Sequence, residues 1–362
     1  MKKYLFILAA AAALAACSKT EVVPVNSDAD VEITFLTAPL TKALGTGQSA
    51  FSTNNVFQSA AFYDAYDFVY GSNTAQAFIK PTTVKYFTSV WKAADASGNE
   101  VTYYWPKDGG KLSFFSWSLN KTTLNYGTGT TAPDVDINVT NGVVLNDYSV
   151  TNNDDFMVAE PALDQTGNKT TYTHEGVPTL FKHKLANVAV KAVTKDNYAS
   201  DPLNQTFTIN SISFLNTASE ATYKQYVSAN SKDVWAVSES GEVTYFSGEQ
   251  VITYNNGTAQ DVAKSDGAVD LYIPETYLAS TATNPQTFKV VYTVSRTGST
   301  ASGSVTKSTQ YTKTISMKDL LGDAIVGGKK YTITLTFGLD QIYWDPAVED
   351  WTDGTSGSID IK

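Results

Sequence analysis

Cysteine is almost missing from this chain, the only one being Cys17 near the N-terminus. Downstream of it no disulfide framework, thiolate metal site or paired-cysteine redox motif can be built. Arginine is as scarce: Arg296 stands alone among 362 residues, so forked guanidinium clamps are nearly excluded. Histidine is limited to His174 and His183, which would leave an enzyme to work with carboxylates, hydroxyls and lysines. A net charge of −10 argues against a phosphate-neutralising surface, which takes clustered Lys and Arg, and so no nucleic-acid partner is expected. Long apolar runs are also lacking, because the longest, Tyr4 to Ala16, is too short to span a bilayer as a helix.

What is present is a β-forming composition. The chain carries 21 Tyr and 17 Phe, together with many Thr and Val, and its hydrophobic share of 42% is enough for real cores. Its length suits two domains.

The N-terminus reads as an export signal, residues 1–16, with Lys2 and Lys3 before the apolar run and small residues at its end. Leu14-Ala15-Ala16-Cys17 presents a thiol at the cleavage point, the pattern of a lipoprotein whose Cys17 accepts diacylglycerol. Three acyl chains, at roughly 0.8 kcal/mol per buried CH₂, hold a protein firmly on a membrane. Ser18 next to it gives no retention signal, so the expected destination is the outer membrane. Residues 17–42 then form a lipidated propeptide: a polar tether, a short strand at Val31 to Leu36, and a loop with Pro39 leading to Thr41-Lys42-Ala43. Lys42 offers a trypsin-like protease a place to cut before Ala43.

Beyond Ala50, strands are expected at Val56–Tyr63, Thr83–Trp91, Val101–Trp105 and Lys111–Ser118, with a turn over Pro106 to Gly110. Thr122 to Asp155 reads as a long surface excursion with one strand at Val135–Val139, and Asp154–Ala159 as a returning strand. A boundary near Gly176 divides residues 43–176 from 177–362. The second part has expected strands at Thr179–Val193, Thr206–Phe214, Val243–Phe246, Val251–Tyr254, Val269–Ile273 and Thr287–Val294. Tyr331 to Phe337 alternates strictly with threonines, and Ser316 to Asp319 has the spacing of a helix cap closed by Gly322. Strands so spaced, with no sustained helical pattern, predict an all-β chain of two tandem β-sandwiches.

Catalytic and metal motifs fail on inspection. Gly322 to Lys329 superficially imitates a phosphate loop, but the spacing is wrong and the flanking order is helix then strand. Asp134, Asp136 and Asn138 imitate the start of a calcium loop, yet Val139 and Leu145 stand where Gly and Glu are needed. His174 and His183 lack a ligand pattern and read as solvated or packed side chains. Adjacent carboxylates such as Asp154/Asp155 and Glu349/Asp350 do not supply the cross-cleft separation of a glycosidase. No nucleophile elbow is present. No enzyme and no cofactor or metal are expected. The aromatics Trp105, Phe114, Phe115 and Trp117 read as core around a hairpin, the alternative being a sugar-stacking platform.

Four motifs in order resemble the fimbrillin superfamily, the lipoprotein-derived type V pilins. They are the lipobox at Cys17 with its following strand and Thr41-Lys42-Ala43; Tyr103-Tyr104-Trp105-Pro106 running into Leu112 to Trp117; Asp155 to Ala159 followed by Leu180 to Val188; and Lys330 to Leu335 leading to Val348-Glu349-Asp350-Trp351. The family's best-known processing junction has Arg where this chain has Lys42. The resemblance implies two transthyretin-like sandwiches, with export as an outer-membrane lipoprotein and removal of the propeptide by a trypsin-like protease. It also implies polymerisation by strand exchange into an adhesive surface fimbrium. Ile33 and Phe35 would fill a groove before processing. A C-terminal strand of the next subunit, carrying Trp344 or Trp351, would fill it afterwards. The implied partners are other pilin subunits, the outer membrane through the precursor's lipid, the protease, and host or bacterial surface ligands. A stalk subunit is the favoured type. The alternatives are a pilus anchor subunit or an uncleaved surface lipoprotein that binds glycans through Trp105/Trp117 or Trp344/Trp351.

Overall fold

Alternating Thr and apolar residues, aromatics and frequent glycine turns leave little besides strands. The computed structural model describes residues 31–37, 51–119, 134–167, 176–200, 204–225, 233–278, 285–338 and 342–350, and over these it is nearly all-β. The α-helix Met317–Leu321 lies where the sequence places one and ends at Gly322, whose φ is 91°. Its Ser316 makes no side-chain capping bond, so that part of the expected cap is corrected.

Three larger sheets carry the structure. The first has ten strands, running from Val177–Pro178 through Phe35–Leu36, Val90–Ala94, Gln76–Phe87, Phe57–Asp64, Lys111–Ser118 and Met157–Ala159 to Phe181–His183. The second sets Leu185–Thr194 parallel to Lys329–Phe337, with Ile342–Asp350 at the edge. The third is built on the 20-residue strand Gln205–Lys224. That strand pairs with Val234–Ile252, Thr287–Thr300 and Gly142–Ser149, and Gly303–Ser316 extends the sheet beyond Thr287–Thr300. Strand pairing crosses the boundary expected near Gly176 in both directions. Val177–Pro178 and Phe181–His183 join the first sheet, while the earlier hairpin Asp134–Asn138 and Gly142–Ser149 joins the third.

Lys111–Ser118 shows why. It is buried at nearly every position, which only a strand covered on both faces allows. Phe115 and Trp117 face a large core shared with Leu185, Phe214, Tyr331 and Phe337. Leu112 and Phe114 face a smaller core with Ile33, Phe35, Phe57, Trp91 and Phe181.

Several expected strands are redrawn. Thr83–Trp91 is broken by a turn at Thr88, whose φ is 49°. Thr179–Val193 splits into Phe181–His183 and Leu185–Thr194, while Val243–Phe246 and Val251–Tyr254 fuse into the single strand Val234–Ile252. The surface excursion expected over Thr122 to Asp155 is corrected at Gly142–Ser149, where Val143, Val144, Leu145 and Tyr148 are buried. Asn141-Gly142 turns the chain back tightly there, with Gly142 at φ 68°. Gly303–Ser316 lacks expected status altogether, because its side chains are almost all exposed and leave no apolar alternation to read.

Candidate functional site: a groove filled by residues 31–37

The segment Val31 to Thr37 alternates along its length, with Ile33, Phe35 and Thr37 buried and Glu32, Thr34 and Leu36 partly so. That is the period-2 pattern of a strand seated with one face on a core. The chain supplies a wall on each side. On one side the Ile33 amide donates to the Tyr103 carbonyl at 2.8 Å, and the Trp105 amide donates to the Val31 carbonyl at 2.9 Å. Glu32 bridges Tyr104, and Phe35 pairs antiparallel with Trp91. On the other side the Val177 amide donates to the Thr34 carbonyl at 2.7 Å and the Thr179 amide to the Leu36 carbonyl at 2.8 Å. Phe35 and Leu36 there run parallel to Val177 and Pro178.

The floor is aromatic. The Phe35 ring meets Phe57 edge-on at 5.6 Å and Phe114 edge-on at 5.9 Å, while Ile33 belongs to the same buried cluster. Trp105 packs on Phe114 at 5.7 Å and closes one end. Each fully buried side chain of this size contributes roughly 1.5–3 kcal/mol, and each ladder bond about 0.5–1.5 kcal/mol net. Seven residues are thus held by two anchors, by these four backbone bonds and by the pairing of Phe35 with Trp91.

Two further features fit the segment closely. At Gly176, with φ 110°, a Cβ would lie 3.0 Å from the Phe35 carbonyl carbon, so the backbones approach where only glycine fits. At the mouth, Lys92 Nζ lies 2.9 Å from Glu32 Oε1 and 2.6 Å from Glu100 Oε1. Hydrogen bonds from Lys92 to Glu100 and then Glu32 raise the lysine above its usual range.

Of the residues singled out from sequence, Ile33 and Phe35 therefore share one buried site. Cys17, Lys42, Ala43 and Trp351 lie outside the described residues, as does His174. Trp344 lies on the edge strand Ile342–Asp350, in register with Leu335. The walls at Tyr103 to Trp105 and Val177 to Thr179, and the close approach of Gly176, were not read from sequence as belonging to the groove. Partners so distant along the chain leave no local signal.

Other candidates resolve as structure. His183 is a packed histidine, with Nδ1 3.0 Å from Asp155 Oδ1, both buried. Asp154 is buried too, and its backbone carbonyl accepts from the Tyr148 hydroxyl at 3.0 Å. Asn138 Oδ1 accepts from the amides of Thr140 and Asn141, and Asp136 accepts from Asn146, so the calcium-like trio serves a hairpin. Within Gly322 to Lys329, Ala324–Ile325 pairs with Thr276–Tyr277. Among the described residues no group of His, Cys, Asp and Glu could hold a metal. Trp117 is 3% exposed and Trp105 partly buried, which leaves the Trp105/Trp117 pair as core rather than a sugar platform.

Comparison with known proteins agrees with the fold. A family model described as fimbrillin-like matches residues 49–351. Among solved structures, a fimbrial protein from Bacteroides vulgatus is 18% identical, with 82% of this chain and 93% of that chain covered at a TM-score of 0.51. The tip fimbrial protein Mfa3 from Porphyromonas gingivalis, truncated at its C-terminus, is 14% identical, covering 89% and 100% at a TM-score of 0.34. A search of curated proteins found no match.

Proposed function

The chain belongs to the fimbrillin-like family, and from that premise we propose that it is a structural subunit of an adhesive surface pilus, polymerised by strand exchange at the groove that residues 31–37 fill. The observation that carries this reading is the seating of Ile33 and Phe35 between two walls that no strand pairing joins directly among the described residues. A segment so placed acts as a plug. Taking it away leaves the Tyr103 carbonyl and the amides of Trp105, Val177 and Thr179 without their partners, above an apolar floor. Strand addition by another chain restores both kinds of contact at once.

In this scheme Cys17 is lipidated and holds the precursor at the outer membrane, and a trypsin-like protease cuts between Lys42 and Ala43. Residues 43–176 carry most of the groove, Val177 to Thr179 close its second wall, and the C-terminal part of 177–362 carries the donor. The donor comes from the C-terminal region of the next subunit, with Trp344 or Trp351 taking the place of Phe35. Ile342–Asp350 suits the part, because an edge strand leaves without dividing its sheet and tolerates Pro346. No enzymatic role is proposed.

The test is a polymerisation assay. A chain beginning at Ala43 is expected to form SDS-resistant ladders, and a peptide spanning residues 28–42 in excess is expected to suppress them. Monomers that persist after cleavage, with the peptide showing no affinity for the cleaved chain, would overturn the exchange.

A further inference from the structure

The hairpin formed by Thr287–Thr300 and Gly303–Ser316 extends past the body, and its distal part serves no core. One of its faces is a ladder of paired hydroxyls, Ser295 with Ser308 and Thr297 with Thr306, each pair 2.8 Å apart. The opposite face is different. In register across the two strands lie Tyr292 with Tyr311, Val294 with Thr309, Arg296 with Lys307, and Gly298 with Val305. All of these but the buried Tyr292 line a groove of about 380 Å³, together with Ser299 and Thr300.

Two cations therefore stand directly opposite one another on a chain of net charge −10, and one of them is its sole arginine. Like charges in cross-strand register oppose pairing. No carboxylate lines the groove, and neither cation forms an ion pair among the described residues. Arg296 is also oriented from below. Its Nε donates to Gln205 Oε1 at 2.7 Å, which leaves its terminal amines for another acceptor. Gln205 is 3% exposed, lies in register with Arg296 on the third strand, and its Nε2 has no acceptor. Beside the cations, Tyr311 is 40% exposed and stacks on Tyr292 at 5.4 Å with 23° between the rings.

We propose that this groove binds an acidic saccharide, a sugar ring bearing a carboxylate. The guanidinium fork matches a carboxylate in two parallel hydrogen bonds, and Lys307 supplies the second charge. The hydroxyl of Thr309 meets a ring hydroxyl, Thr300 Oγ1, which donates to the Gly303 carbonyl, accepts from another, and the Tyr311 ring offers a flat apolar surface to the sugar's C–H face. The site is remote from the strand-exchange groove in the sequence and does not depend on that scheme.

The test uses the full chain beginning at residue 18, titrated with sialyllactose and with oligogalacturonate, and with lactose and acetate as controls. One or both acidic saccharides are expected to bind, and lactose and acetate are expected to fail at the same concentrations. Binding should weaken as salt is raised. Arg296→Gln and Lys307→Gln should each weaken the acidic saccharide at least tenfold, Lys307→Gln without shifting Tm because its side chain is exposed, and Arg296→Gln with only the small drop in Tm expected from losing its bond to Gln205. Gly298→Phe tests shape separately: a Cβ there meets nothing within 4 Å, so the ring enters the groove with both charges kept, and binding should again fall. The proposal is overturned if neither acidic saccharide binds, if acetate competes as well as the sugars, or if the three variants bind like the parent.

Discussion

Replacing Phe35 with alanine isolates the hold of the groove on its plug. The ring is 4% exposed and sits edge-on to Phe57 and Phe114. Truncating a buried phenylalanine costs about 3–5 kcal/mol, the transfer of the ring plus the cavity left behind. If the segment opens locally, its open population rises by roughly two to three and a half orders of magnitude. The assay is amide hydrogen exchange at Trp105, Val177 and Thr179, whose N–H groups donate to the carbonyls of Val31, Thr34 and Leu36. These three amides should lose protection by that factor in Phe35→Ala, while amides of Leu185–Thr194 change far less. In a chain that begins at Ala43 the substitution cannot be made, and the same amides should exchange fast until a donor strand arrives. Equal protection of the three amides in parent and variant would refute the idea that the ring seats the segment.

Three further outcomes follow from the same geometry. Gly176→Val puts a side chain against the Phe35 carbonyl at a φ of 110°, so it should cost about 1–3 kcal/mol or more and unseat the plug, measured by melting of the precursor. Lys92 has a folded pKa raised by Glu100 and Glu32, so its contribution is whole below the unfolded value near 10.4 and is lost as pH rises through the higher folded value. The stability difference between the parent and Lys92→Met should accordingly stay level from pH 7 to about 9.5 and shrink above about 10.5. Solvent screening keeps that difference to about 1 kcal/mol, and a difference unchanged at the alkaline end would contradict it. Trp117→Ala should lower stability by about 3–5 kcal/mol, as expected of a core residue, in a denaturant titration.

Where a strand carries its own alternation or is bounded by its own turns, the fold is legible in the sequence. Lys329–Phe337 alternates apolar residues with threonine, and Phe57–Asp64 and Lys111–Ser118 are bounded by clear turn residues. Legibility fails where the physical cause is not local. Gly142–Ser149 is called into a sheet by Tyr223 and its neighbours on a strand far along the chain, and nothing in its own polar flanks announces that. Gly303–Ser316 is a strand because a partner hydrogen-bonds it, with no core face to leave a pattern. Half of the groove was legible in the same sense. Ile33 and Phe35 announce a strand with one buried face, whereas Gly176 and the Val177 to Thr179 wall come from about 140 residues away and need the fold to bring them there.

The central claim is that residues 31–37 are a removable plug. Intact mass and N-terminal sequence of the protein recovered from the cell surface test it most directly, together with the behaviour of that protein on SDS gels before and after trypsin. A mature chain beginning at Ala43 and running as SDS-resistant ladders is the result predicted. A chain still beginning at an acylated Cys17, and monomeric after trypsin, would contradict it.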